Sequence, residues 1–177
     1  MVEPMSDVES VFADLLEQSM SAEAVTEAND RTLPGGTYRL DIVKKTLESA
    51  SDRSPWPGRA IVRLQADASV KNGDGEFVRK GRVFFDVSPV EMRDARNRLD
   101  PAARLWANLV NVVGRGTSNR DVLDYLGQYP LMGTISRPFR TTEGKWQNPK
   151  NEREEKELLE AGAEPRNFVQ SLRGYNG

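Results

Sequence analysis

Residues 58–87 read GRAIVRLQADASVKNGDGEFVRKGRVFFDV and carry the clearest structural signal in the chain. Within Gly58–Ala68 the even positions are apolar, and within Gly81–Val87 the odd positions are apolar. An alternation of period two with one apolar face predicts two half-buried β-strands. The Asn-Gly and Asp-Gly pairs at 72–75 favour a turn between them, because glycine tolerates a positive φ angle. The segment therefore predicts a β-hairpin.

The polar face of this hairpin has a composition that suits a negatively charged polymer. It combines arginines, which pair with phosphate, with a large aromatic ring, which can stack on a base. The alternative interpretation of each aromatic ring is ordinary packing. The residues expected to contact nucleic acid here are Arg59, Arg63, Arg82 and Phe84 on the strands, and Phe77, Arg79 and Lys80 in the hairpin loop.

The amino-acid composition excludes several kinds of site. The chain has 177 residues with neither cysteine nor histidine. This excludes disulfides, thiolate metal ligands and cysteine nucleophiles, and it removes the usual general base at neutral pH. The glycine pairs lack the Lys-Ser/Thr of a phosphate-binding loop. We therefore expect a non-enzymatic protein without a metal or other cofactor.

Charge and hydropathy predict the organisation of the chain. Residues 1–30 hold eight acids and no base, residues 31–150 hold 21 bases and 13 acids, and residues 151–177 hold four bases and six acids. We divide the chain into an acidic N-terminal helix and linker (1–32), a basic body (33–149) and a charged C-terminal helical extension (150–177). No run of about 18 apolar residues predicts a membrane span, and no secretory signal opens the chain, so a cytoplasmic location is expected.

Periodicity and capping signals predict the remaining elements. A strand is expected at Thr37–Leu47 with a bulge near Lys44, and Ser88, Pro89 and Glu91 predict a helix to about Arg98. Further helices are predicted from Asp100 to Gly114, from Thr117 to Gly127 and from Asn151, and an N-terminal helix is predicted with Ser6 and Glu9 as its capping box. Further strands are predicted at Leu131–Arg140 and from Lys145. The final segment, Glu164–Gly177, has apolar residues at helical spacing.

The order of these elements is strand, strand, strand, helical insert, strand, strand. This is the order of a five-stranded OB barrel, so the predicted fold is mainly β with a helical insert between strands three and four and helical extensions at both ends. In that fold the ligand crosses strands two and three and two flanking loops. The flanking loops supply Trp56 on one side, and Arg137, Phe139, Arg140, Lys145 and Trp146 on the other.

Several short motifs resemble a known family. They are Leu33–Tyr38, Gly58-Arg59, Gly81–Phe85, Val112–Gly114 and Leu131–Ile135. Over residues 33–149 the chain resembles phage-encoded single-stranded-DNA-binding proteins of the OB type. The resemblance implies an OB barrel that coats single-stranded DNA without sequence preference or cofactor, in phage replication or recombination, in the host cytoplasm. The chain departs from that pattern because its most acidic segment is N-terminal rather than C-terminal.

Two other interpretations stay open. A virion component or adaptor would use the barrel for protein contacts and would self-associate through its terminal helices, giving a homo-oligomer with little affinity for DNA. The third interpretation, after DNA binding and the adaptor, is a metal-dependent nuclease, and no carboxylate cluster supports it. Under the first interpretation the partners are single-stranded DNA, with RNA as an alternative, and replication or recombination proteins that bind the acidic N-terminal segment.

Overall fold

A computed structural model describes residues 7–21 and 32–176 of the chain. The described residues contain eight strands: β1 Gly36–Ser49, β2 Ala60–Lys71, β3 Phe77–Val87, β4 Leu131–Ser136, β5 Phe139–Arg140, β6 Trp146–Gln147, β7 Glu164–Pro165 and β8 Phe168–Gly174. Helices are α1 Asp7–Leu16, α2 Pro101–Val113, α3 Asn119–Tyr125 and α4 Glu152–Glu160. The capping box proposed at Ser6, and the acidic residues 22–30, lie outside the described residues.

Five strands form one antiparallel sheet in the order β3-β2-β1-β4-β8. The prediction of a mainly β fold with helices is confirmed. In the described part of the chain β3 and β8 are the two edges of this sheet, and no strand pairing closes it into a barrel. A separate three-stranded sheet has the order β6-β5-β7.

The hairpin of β2 and β3 forms as predicted, with one difference in its boundary. The side chain of Asn72 organises the turn, because its Oδ1 accepts hydrogen bonds from the backbone N–H groups of Asp74 (3.0 Å) and Glu76 (2.9 Å). Strand β3 then begins at Phe77, so the residues Phe77, Arg79 and Lys80 lie in a strand and not in the loop. The bulge predicted in β1 is also present, with Val43 as the extra residue between Ile42 and Lys44.

The helix predicted at Ser88–Arg98 is wrong. In a helix the carbonyl of Val90 would accept from the N–H of Asp94. It accepts instead from Nη2 of Arg59 (2.6 Å), and the N–H of Asp94 donates to the carbonyl of Arg98 (2.9 Å). A buried arginine from another element thus removes the acceptor on which the first helical turn depends.

The helical prediction for the last segment is right for α4 and wrong beyond it. Residues Glu164–Gly174 form β7 and β8, and β8 pairs with β4. The apolar spacing of three between Val169 and Leu172 suggested a helix, but a bulge causes it. The strand register passes from Ser171 to Val169 and leaves Gln170 unpaired, so Val169 and Leu172 both face the core.

The other strands differ from prediction in length and place. Arg137 and Pro138 divide the strand predicted at Leu131–Arg140 into β4 and β5, because a proline has no N–H to donate to the strand ladder. The strand predicted at Lys145 is only the two residues of β6, and it belongs to the small sheet. The fifth strand of the main sheet is therefore β8.

The core lies between the main sheet and α2. Leu105, Trp106 and Leu109 of α2 pack on the apolar side of the strands, where Leu40 and Leu64 are fully buried. Helix α2 begins as predicted, because Asp100 accepts hydrogen bonds from the N–H groups of its first turn. The same side of the sheet needs glycine at position 133, where a Cβ atom would lie 2.4 Å from Cδ1 of Leu40.

Candidate functional site

The solvent face of the main sheet is covered by ion pairs. The register sets Arg63 opposite Asp86 and Arg82 opposite Asp67, with Phe84 between them and 62% exposed. Each of the arginines predicted on this face has a carboxylate partner: Arg63 with Glu48 (2.8 Å) and Asp86 (3.1 Å), Arg79 with Asp67 (3.1 Å), and Arg82 with Asp67 (3.1 Å). The hydrogen bond with Asp86 also raises the pKa of Arg63. The face is therefore less basic than expected, and Phe84 is a large exposed ring among these ion pairs.

Arg59 does not lie on this face, and its prediction as a surface phosphate ligand is wrong. Its side chain is 4% exposed and forms a two-pronged pair with the carboxylate of Asp100, at 2.6 and 2.7 Å. Nε donates to Oγ of Ser88, and Nη2 also donates to the carbonyl of Val90. The ring of Trp56, which is half-buried, lies 5.3 Å from the Arg59 guanidinium carbon. Arg59 is thus a buried anchor at one end of the sheet.

The residues predicted in the second loop separate into two groups. Phe139 is fully buried, so its prediction as a contact residue is wrong. Arg137 is mostly buried, pairs with Glu155, donates to Oγ1 of Thr32 (2.7 Å) and covers the Phe139 ring.

The other residues of that loop remain accessible. Arg140 and Lys145 are exposed, and Trp146 is 47% exposed. The Trp146 ring packs edge-on against Phe168 at 5.2 Å between centroids. Alternation along β4 and β8 places Phe168 on the solvent face, so this aromatic pair lies on the same side of the sheet as Phe84.

A groove crosses the solvent face where β1 lies between β3 and β8. The guanidinium carbon of Arg39 is 4.9 Å from the centre of the Phe77 ring and 5.0 Å from the centre of the Tyr175 ring. The two rings meet edge-to-face at 5.6 Å. Asp41 holds the guanidinium from one side, at 3.2 and 3.3 Å. One cation is therefore fixed between two aromatic rings on a sheet surface.

Two further cations line the same groove. Lys71 and Arg173 are exposed and have no carboxylate partner among the described residues. The groove has a volume of about 610 Å³, and Met132 and Thr37 form part of its floor. No carboxylate belongs to its lining. A concave surface with three cations and two aromatic rings can hold an anion and stack a planar group.

Four residues of this groove were missed from the sequence: Arg39, Lys71, Arg173 and Tyr175. The alternation of β1 placed Arg39 on its polar face, but nothing in the sequence indicated that strands distant in order would converge on it. Tyr175 had no signal, because the sequence at 174–177 was interpreted as a flexible end after a helical segment. Of the predicted residues, only Phe77 belongs to the groove lining.

The described ranges 7–21 and 32–176 contain neither a group of three or more acidic side chains that could hold a metal ion nor a helix long and apolar enough to cross a membrane. Comparison of the chain with protein-family models, with curated proteins and with solved structures gives no match. The likeness to phage single-strand-binding proteins therefore rests on the short motifs of the sequence.

Proposed function

We propose that this chain is a non-enzymatic protein that binds single-stranded DNA without sequence preference, in DNA replication or recombination. The observation that carries the proposal is the groove at Arg39, in which two aromatic rings meet three cations, and two of these cations, Lys71 and Arg173, have no carboxylate partner among the described residues. Rings stack on bases of any sequence, and arginine and lysine pair with the phosphates between them. The phage setting and the host cytoplasm are proposed from the sequence resemblance.

The strand order supports an OB-type architecture for this function. Counted along the main sheet, the strands are the third, second, first, fourth and fifth of that sheet. Their edges, β3 and β8, run parallel and approach each other where Phe77 begins β3 and Tyr175 follows β8. A barrel of OB type would close between these two edges, and the groove lies at that place.

A path for a single strand can be traced on the solvent face. It runs from the exposed pair of Trp146 and Phe168, across the groove, toward Phe84 on β3. The cations near this path that lack a carboxylate partner in the described residues are Lys71, Lys80, Arg140 and Arg173. Four phosphate contacts predict a salt slope of about −2.8, which is about a 50-fold loss of affinity between 50 and 200 mM salt.

The test is a fluorescence titration with oligo-dT at these two salt concentrations. Tyr175→Ala removes one ring of the groove beyond the end of β8, and we expect it to weaken binding by about 5- to 150-fold, the effect of one stacked base. Tyr129→Ala is the matched control, because Tyr129 is 54% exposed and lies outside the groove lining. Equal affinities of the two variants would contradict the proposed site, and absence of wild-type binding at 50 mM salt would contradict the function. Oligo-U of equal length tests the RNA alternative.

A second candidate function is that of an adaptor or virion protein. The observation in its favour is α1, whose Phe12, Leu15 and Leu16 are 58%, 51% and 81% exposed. Apolar side chains on one exposed helix favour a protein partner, another copy of the chain or a replication protein. Light scattering distinguishes the candidates, since the adaptor should form oligomers without nucleic acid and should not respond to its addition.

A further inference from the structure

The connection between β3 and α2 forms a small hairpin rich in arginine. We call residues 90–100 the arginine hairpin. Arg93 pairs with Leu99 in an antiparallel bridge. At the tip, Oδ1 of Asp94 accepts hydrogen bonds from the N–H groups of Arg96 and Arg98, each 2.9 Å, and Asn97 adopts a left-handed φ of 59°. These bonds give the tip one defined conformation.

The base of the arginine hairpin is fixed by a buried side chain. Arg59 binds the carbonyl of Val90 at the start of the hairpin and the carboxylate of Asp100 at its end. The same guanidinium lies against the half-buried ring of Trp56. The hairpin and the Trp56 loop are therefore held together before any ligand binds, which lowers the entropic cost of binding.

The positive charge of the hairpin is not compensated as it is on the sheet. The guanidinium group of Arg93, and that of Arg104 in the first turn of α2 directly after the hairpin, bond only to backbone carbonyls, of Asn97 (3.0 Å) and Leu99 (3.1 Å) respectively. Arg96 has no ion pair with any described residue. Of the hairpin's acids, Asp94 is paired with Arg98 and Asp100 with Arg59, which leaves Glu91 as the remaining carboxylate. Arg93, Arg96 and Arg104 are therefore cations without a carboxylate partner among the described residues, on or directly after a hairpin whose base Arg59 holds against Trp56.

We infer that the arginine hairpin is a second phosphate-binding element, which receives the continuation of a single strand bound in the groove. The inference rests on the proposed function. Strand β3 separates the two places, from Phe77 at the groove to Val87 before the hairpin. Its eleven residues span about 36 Å. A stacked single strand advances about 3.4 Å per nucleotide. The oligonucleotide dT4 is therefore too short to span from the groove to the arginine hairpin, whereas dT20 is long enough to contact both.

The test compares dT4 and dT20 on two double variants. Arg93→Gln with Arg96→Gln removes two charges from the hairpin. Arg115→Gln with Arg120→Gln removes two exposed charges beyond the other end of α2, about 20 Å away, and is the matched control. For dT20 we expect the hairpin variant to lower the salt slope by about 1.4, since each phosphate contact on a single strand contributes about 0.7. For dT4 the slope should not change.

Each outcome has a defined meaning. The inference would be overturned if the salt slope for dT20 were unchanged in the hairpin variant, or if it changed equally in the control variant. In either case, binding of dT20 by the wild-type chain would still uphold the proposed function. A wild-type chain that binds neither oligonucleotide would overturn both. As a second measurement, a Trp146→Phe background leaves Trp56 and the core residue Trp106, which is 6% exposed, and in it dT20 should quench tryptophan emission while dT4 should not. Emission that stays unchanged at saturating dT20, or that is quenched equally after a further Trp56→Phe substitution, would also overturn the inference.

Discussion

Arg59→Ala should destabilise the protein far more than removal of an exposed arginine from β2, the strand that follows Arg59. Both partners of the Arg59–Asp100 pair are buried, at 4% and 6% exposure, and the guanidinium also binds Ser88 and Val90. Truncation leaves the carboxylate of Asp100 buried without its cation. Removal of one partner of a buried pair costs about 3–5 kcal/mol of unfolding free energy. For a chain of this size that corresponds to a fall in Tm of about 6–20 °C.

Arg63→Ala is the matched control, because Arg63 lies four residues further along the chain, on β2, and its side chain is 52% exposed. Exposed ion pairs contribute about 0–1 kcal/mol, so this variant should unfold close to the wild type. The assay is urea unfolding followed by circular dichroism at neutral pH. An Arg59→Ala protein within about 1 kcal/mol of the wild type would refute the buried pair, since that is the result expected of a surface residue.

Two further results are expected. Leu172→Ala should lower the free energy of unfolding, measured with urea, by about 2–5 kcal/mol, because Leu172 is 4% exposed in the core. Its exposed neighbour Ser171 is the control, and Ser171→Ala should change this free energy by less than about 0.5 kcal/mol. Equal effects of the two substitutions would contradict β8 as a core strand. The backbone N–H of Arg98, with its side chain and the N–H of Arg96, holds the pKa of Asp94 below its ordinary value. The contribution of this carboxylate to stability is therefore present above the pKa of the unfolded chain and lost as pH falls through the folded pKa. An NMR titration should show a depressed pKa that rises in Arg98→Gln, and an ordinary pKa in the wild type would contradict the hairpin geometry.

Local patterns predicted those elements whose signals lie within a few residues of one another. The alternation of β2 and β3, the Asn-Gly turn and the cap at Asp100 are of this kind, and each is present in the structure. The polar residues between the apolar positions were also placed on the correct face, apart from Arg59. What alternation could not show is whether a charged side chain on that face would meet a carboxylate from a neighbouring strand.

The errors arose where a distant residue changed the meaning of a local pattern. Ser88, Pro89 and Glu91 are a sound helix start, but Arg59 takes the carbonyl that the helix needs. Val169 and Leu172 have helical spacing, but pairing with β4 makes it the spacing of a bulged strand. In both cases a tertiary contact provided a hydrogen bond that local propensity could not anticipate.

For the candidate site too, local sequence patterns predicted some features and tertiary contacts decided the others. Sequence alone was enough to place aromatic and basic residues on the solvent side of β2 and β3. Only the tertiary structure buried Arg59 and Phe139, paired the sheet arginines with acids, and brought Arg39, Phe77 and Tyr175 together. The groove joins β1, β3 and the end of β8, which are far apart in the chain. Their meeting depends on the pairing of all five strands, because a side chain's neighbours across a sheet are set by register and strand order.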